Sequence, residues 1–418
     1  MSLRRLLYIA AHGGFASERV ALGGGAAIAD LLTAEWKRTR PFELELVTPS
    51  ILGPHGPSGG DLVQYSERSY ARFCREFRAA ATARALQEDP QETVLLVNDI
   101  SEAPDFARLA ARGFRLHTLY HVDVVAYIAS IYLRGVLRPE TLARWWETLR
   151  RRPWRAAIPS MLDLIFENQR ASLEYSRSVI VPSSAMRSIL ERVYPALAPG
   201  RVIVHPWGAP PHEVSAAEAD QAAAALRAEF GVPAEARILL TLSRISPEKG
   251  QDRLLRALRD RERSGACPAP PIWLFICGGA AYMQGRRHLE KLRALARELT
   301  RTRVVFPGHV TGLRKAGFFR LADVYVFPSR HESYGLTLAE ALSWGCRVVA
   351  LPSAGAREVL GSHPGLLAEE RSEAELLRRL PAMLDEALRG TPAPLEIPSF
   401  TRQAALLAAH LAGAPDPA

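Results

Sequence analysis

Lysine is nearly absent from this chain. Of 418 residues, 53 are lysine or arginine, yet only Lys37, Lys249, Lys291 and Lys315 are lysine, so the net charge of +9 is carried almost wholly by arginine. Cysteine is sparse too. Cys74, Cys267, Cys277 and Cys346 form no Cys-x-x-Cys pair and no His/Cys zinc spacing. That excludes a disulfide framework and a zinc module, and it points to a reducing compartment. No apolar run reaches the roughly 18 residues of a membrane span. The opening "MSLRRLLYIAAHGG" holds an apolar run of only about six residues, better suited to a first strand than to a signal peptide. The expected location is the cytoplasm. A G-x-x-x-x-G-K-[ST] loop is missing, which argues against a P-loop. No G-x-G-x-x-G follows the first apolar run either. "LGGGAA" (22–27) comes only after a gap, which weakens a dinucleotide reading and an NAD-dependent oxidoreductase with it.

What is present is a regular alternation. Hydrophobic residues make up 48% and charged residues 23%, the balance of a globular protein, and the length suggests two domains. Short β-branched runs recur between helix-like segments, at 6–11, 44–49, 93–99, 115–121, 178–183 and 201–206, then at 238–243, 272–279, 303–308, 323–329 and 347–353. Continuous apolar strands separated by helices predict parallel sheets buried on both faces. Two sets predict an α/β chain of two Rossmann-like, doubly wound domains. The first is expected over 1–206, with a helical insertion at about 122–176 where the alternation breaks. "HPWGAPP" (205–211) reads as the hinge. The second is expected over 207–390, and 391–418 as a connector and a C-terminal helix returning to the first domain.

Two loops carry the chemistry. In "DVYVFPSRHESYGLTLAEALSWG" a strand is followed by a loop, then by Gly335, then by a helix. Glu332 stands on the loop rim, and Glu340 falls in a helix that is otherwise apolar. A buried carboxylate is costly unless it is paired. A helix start offers unpaired N–H groups and a partial positive charge to an anion. Carboxylates beside it suit sugar hydroxyls better than phosphate. In "LLTLSRISPEKGQDRLLRAL" (239–258), Arg244 and Lys249 lie on the loop before Gly250. Such a cationic pair can hold a diphosphate and neutralise it as it leaves. A lysine kept in an arginine-rich chain hints that a compact ammonium is wanted there.

The order of these motifs resembles the retaining glycosyltransferases of family four, which have the GT-B fold. The resemblance is carried by "LSRISPEKGQDRLLRAL" and by "FPGHVTGLRKAGFFRLADVYVFPSRHESYGLTLAEALSWGCRVVALPSAGAREVL". Glu332 and Glu340 match the family's E-x7-E spacing. The match is strong across roughly residues 238 to 360. "ALGGGAAIADLL", "LYHVD" and "RVIVHPWGAP" agree with the family's first-domain loops and hinge. The resemblance implies two domains facing across a cleft and transfer of a hexose from a nucleoside-diphosphate sugar, UDP- or GDP-linked. It implies that Arg244 and Lys249 bind the diphosphate, that Glu332 holds sugar hydroxyls, and that Tyr334, Gly335, Leu336 and Thr337 offer backbone N–H groups. It places Glu340 on the ribose, Gly308, His309 and Val310 at the nucleobase, Gly24 and Gly25 at the phosphates, and His121 near sugar and acceptor. No D-x-D motif occurs, so no metal and no cofactor is expected.

The acceptor is not legible; glycan, lipid-linked and small-molecule acceptors all remain. "RWWETLRRRPWRAAIPSML" (144–162) combines Trp145, Trp146 and Trp154 with arginines. It can be read as a contact with the cytoplasmic face of an anionic membrane, or as an amphipathic packing segment. A non-catalytic nucleotide-sugar binder of the same fold is the alternative to an enzyme. Nucleic acid is not an expected partner, because no reader motif or aromatic-interleaved basic stripe is present.

Overall fold

The computed structural model describes residues 4–15, 23–122, 125, 137–150, 160–265, 270–280, 282–367, 370, 372–391 and 395–413. Each of the eleven expected runs forms a strand. In chain order they are β1 (Arg5–Ile9), β2 (Glu43–Val47), β3 (Thr93–Val97), β4 (Arg115–Leu119), β5 (Ser178–Val181), β6 (Val202–Val204), β7 (Arg237–Leu242), β8 (Ile272–Cys277), β9 (Thr302–Gly308), β10 (Val324–Phe327) and β11 (Arg347–Ala350). The chain divides into one unit of Met1–Pro206 with Thr401–Ala418 and another of Trp207–Phe400.

The first unit holds a six-stranded sheet in the order β2-β1-β3-β4-β5-β6, every pair parallel. Helices cover both faces, so β3, "TVLLV", is buried at every residue. The edge strand β2, "ELELV", is mostly half-buried instead, and its Glu45 is held by Arg5 at 2.6 Å and by Arg84 at 2.8 Å. Leu7, Ile9, Phe73, Phe77, Leu95 and Leu116 share one apolar cluster of this unit. The last helix, Phe400–Leu411, packs here as well. Its Ala404 carbonyl accepts from the Trp36 indole at 3.0 Å, and its His410 meets the Ser178 hydroxyl at 3.0 Å. Within the expected 122–176 insertion the structure shows helices Pro139–Leu149 and Ser160–Tyr175. Trp146 turns inward there, stacked on Phe166 and donating to Asp163 at 3.0 Å, while Trp145 is 59% exposed. Trp154 lies outside the described residues. No helix of the described residues is long and apolar enough to cross a membrane.

The second unit holds a five-stranded sheet in the order β11-β10-β7-β8-β9, again all parallel. The order matters more than the count. The chain winds one way from β7 through β8 and β9, then returns to add β10 and β11 on the other side. The reversal falls between β7 and β10, and ligand crevices of open α/β sheets form outside the carboxyl ends of such neighbours. In the first unit the reversal falls between β1 and β3.

Gly250 fixes the turn that leaves the β7 loop. Its φ is +64°, and a Cβ there would stand 2.1 Å from the Pro328 carbonyl oxygen, at the end of β10. Gly250→Ala should therefore lower unfolding stability by about 2 kcal/mol or more. Urea unfolding checks this through the midpoint. A change below about 0.5 kcal/mol would mean that the two loops separate freely.

Candidate active site

The loops after β7 and β10 are tied by backbone. The Glu248 carbonyl accepts N–H groups from Arg330 at 2.8 Å and His331 at 3.3 Å. The Glu248 carboxylate is buried and takes the Ser246 hydroxyl at 2.6 Å. Gln251 closes the same loop by donating to Ser243 Oγ at 2.9 Å and to the Arg244 carbonyl at 2.8 Å. Below it, Arg330 grips Asp252 with two nitrogens, at 2.7 and 3.2 Å, and Glu373 at 3.0 Å. Burial alone would raise the Asp252 carboxyl, but Arg330 and Lys291 outweigh it and hold it well below the carboxylate range.

This frame brings Lys249 and Glu332 together, 83 residues apart in sequence, with Nζ 2.5 Å from Oε2. Their side chains are 13% and 19% exposed. Arg244 stands on the same loop, its guanidinium 3.8 Å from the Glu248 carboxylate. The helix Leu336–Ser343 begins beside them at Gly335, whose φ of +93° turns the chain without a side-chain cap. The N–H groups of Tyr334, Gly335, Leu336 and Thr337 make no hydrogen bond among the described residues. They are the donors that a helix start presents to an anion. The Tyr334 side chain points elsewhere, its hydroxyl accepting the Gly208 N–H at 2.8 Å. Thr337 Oγ1 meets the buried Tyr325 hydroxyl at 2.8 Å.

Glu340 is paired with Lys315, Nζ to Oε1 at 2.7 Å. Lys315 was not among the expected site residues. Its helix, Gly312–Leu321, begins just after Gly308, His309 and Val310, and this places it within reach of them. His309 is exposed and Val310 buried. Burial, and then the Lys315 charge, push the His309 imidazole below its ordinary value.

In the first unit, Gly25 and His121 meet. A Cβ on Gly25 would lie 3.0 Å from the His121 ring. Gly24 opens the helix Gly24–Thr39 beside it. His121 Nε2 is 2.9 Å from Asn98 Oδ1, which also accepts from the Tyr8 hydroxyl at 2.6 Å. Nε2 therefore carries the hydrogen. Burial pushes the imidazole down to about 4, with Asp99 opposing and His12 adding.

At the reversal between β1 and β3 stands a chain of groups that the sequence reading missed. Asp99 Oδ1 is 3.1 Å from His12 Nδ1, His12 Nε2 is 3.1 Å from the Tyr70 hydroxyl, and Tyr70 donates to Glu102. Burial pushes the Glu102 carboxyl up. The ligand atoms of His12, Asp99 and Glu102 lie within 4.8 Å of one another, a spacing that a metal ion could use. Each is already engaged by a neighbour in the chain just described. The sequence signal was "AAHGG" after β1 and "VND" after β3, one at each side of the reversal.

His121 has a pH consequence. With a folded pKa of about 4 against roughly 6.5 unfolded, its contribution to stability is present above about pH 6.5. It is lost as pH falls from there toward 4, because the unfolded chain takes the proton first. His117, pushed down to about 3 by burial and then by His410, gives a slope of the same sign. Unfolding free energy should therefore drop across this window, and His121→Gln should flatten the drop. An unchanged slope in the variant would show that His121 takes its proton without strain in the fold.

Residues 223–391 match the family model described as glycosyl transferases group 1. A D-inositol 3-phosphate glycosyltransferase of Kineococcus radiotolerans is 30% identical over 229 residues, 52% of each chain. The Corynebacterium jeikeium protein of that name is 34% identical over 200 residues, 46% of each. The chain thus matches about half the length of these curated relatives. Among solved structures, sucrose-phosphate synthase of Thermosynechococcus elongatus superposes with a TM-score of 0.64 at 19% identity, covering 98% of this chain and 95% of that one. Anabaena HepE, solved in complex with UDP and glucose, gives 0.58 at 17% with the same coverage. The similarity to the glycosyl transferases of group 1 thus falls on residues 223–391, and the two parallel-sheet units share the GT-B fold of these solved structures.

Proposed function

We propose that the chain transfers a hexose from a UDP- or GDP-linked donor to an acceptor hydroxyl, with retention at the anomeric carbon and without a divalent metal. The observation that carries the reading is the Lys249–Glu332 pair beside Arg244 and the N–H groups of Tyr334 to Thr337. A cation and a carboxylate in contact serve the two ends of such a donor. The ammonium and guanidinium face the diphosphate, and the carboxylate faces the sugar hydroxyls. Lys249 shares its three N–H donors between Glu332 and phosphate oxygens, so the pair positions the ammonium before the donor arrives.

In the reaction the bond from the anomeric carbon to the phosphate oxygen breaks, and its electron pair leaves with the nucleoside diphosphate. Arg244, Lys249 and the helix start stabilise the charge that appears there. The acceptor oxygen bonds to the same face of the sugar, and its proton passes to the departing phosphate. His121, neutral in its buried setting, is assigned to the sugar and acceptor. The proposed independence of metal rests on these cationic groups and on the lack of D-x-D. The proposed setting is the cytoplasm, and the exposed Trp145 is the residue that favours contact with a membrane face.

A melting panel with UDP, GDP, ADP and NAD tests the donor. A ligand at 100 times its dissociation constant should stabilise by about 2.7 kcal/mol. Stabilisation by NAD alone would overturn the reading. Turnover of the matching nucleotide sugar should survive EDTA, and loss that magnesium restores would show that a metal holds the diphosphate. Lys249→Arg should slow single turnover about 10²- to 10³-fold, since a longer planar guanidinium cannot sit at 2.5 Å from Glu332 and also between phosphate oxygens. A variant within about threefold of wild type would show that charge alone matters at 249.

A further inference from the structure

Glu340 lies in a helix whose other buried residues are Leu338, Ala339, Ala341 and Leu342. Its carboxylate has one ionic partner among the described residues, the Lys315 ammonium. That lysine comes from a different helix, and it is 28% exposed while Glu340 is buried. The neighbouring cation on the Lys315 helix is already engaged. Arg314 holds Glu229 with both terminal nitrogens at 2.7 Å and lies over the Phe230 and Phe318 rings. Lys315 thus pairs with Glu340, and its charge is also felt by the His309 imidazole.

We propose that Lys315 is a specificity-determining residue that reads the sugar ring of the donor nucleotide together with Glu340. The inference rests on the nucleotide-sugar donor proposed above and on the ribose contact that the family resemblance implies for Glu340. An ammonium has three donors and no acceptor, and a carboxylate has acceptors only. A hydroxyl is both donor and acceptor. With Oε1 of Glu340 shared by Lys315, the second carboxylate oxygen accepts the ribose hydroxyl hydrogen, and a second N–H of Lys315 donates to the same hydroxyl oxygen. A site so built holds ribose and rejects the deoxy ring, because loss of the hydroxyl leaves both charged groups short of a partner.

The test is isothermal titration of the full chain with UDP and its 2′-deoxy and 3′-deoxy forms, or with the corresponding GDP or ADP set if one of those binds instead. Wild type should prefer the ribonucleotide over at least one deoxy form by about tenfold or more. Lys315→Met should bring that ratio to within about threefold, and Lys315→Gln, which keeps donors without charge, should fall between. A purely structural ion pair would lower the melting temperature of Lys315→Met and leave the ratio unchanged, which overturns the proposal. Equal binding of ribose and deoxyribose forms by wild type overturns it without any variant. Failure of all three ribonucleotides to bind instead overturns the reading on which it rests.

Discussion

A single carbonyl holds the second unit's site together. The Glu248 oxygen accepts from two consecutive N–H groups of the β10 loop, and Gly250 leaves room for the Pro328 carbonyl that approaches from the same side. Without that contact Lys249 and Glu332 would belong to two separate loops. With it, their separation is set by backbone rather than by two flexible side chains, and the entropy of ordering them is lost on folding instead of on binding. Arg330 and Asp252 reinforce the arrangement from below. Asp252 is buried, and its only stable form there is the ionised one held by cations.

The same topological logic operates in the first unit with different chemistry. At the second unit's reversal the chain presents two cations and a helix start, which suit phosphate. At the first unit's reversal it presents His12 and Asp99, backed by Tyr70 and Glu102, which suit hydroxyls and protons. His12 lies between the Asp99 carboxylate and the Tyr70 hydroxyl, and Tyr70 in turn donates to Glu102. Each unit thus gathers interacting polar groups beyond the ends of its central strands, but among the described residues the cationic loop beside a helix start belongs to the second.

How much of this was written in the sequence depends on distance along the chain. The strands were legible because each is a short apolar run that a parallel sheet buries on both faces. Their carboxyl ends followed, and so did Arg244, Lys249, Glu332 and Gly335, which sit within a few residues of β7 or β10. The expectation that Glu340 needed a partner was also legible, but its identity was not. Lys315 is 25 residues upstream on another helix, and nothing local marks it. His12, Asp99, Tyr70 and Glu102 escaped for the same reason. Each is unremarked alone, and only the strand order, which no periodicity encodes, brings β1 beside β3. The tryptophan pair among arginines was legible only as an alternative, a membrane contact or a packing segment, and Trp146 takes the second role against Phe166 while Trp145 stays exposed.

The scarcity of lysine is a weaker signal than it first looks. All three lysines of the second unit make ion pairs: Lys249 with Glu332, Lys291 with Asp252, and Lys315 with Glu340. Lys291 is 48% exposed and shares Asp252 with two arginines, so an arginine would serve there equally. Survival of a lysine in an arginine-rich chain therefore does not by itself mark a site. Enclosure does. Lys249 is 13% exposed with Glu332 as its one ionic partner among the described residues, at 2.5 Å, and a longer planar guanidinium has less room in such an enclosed place. The ammonium is retained where the frame is tightest, and the frame is tightest where strand order brings two loops to one point.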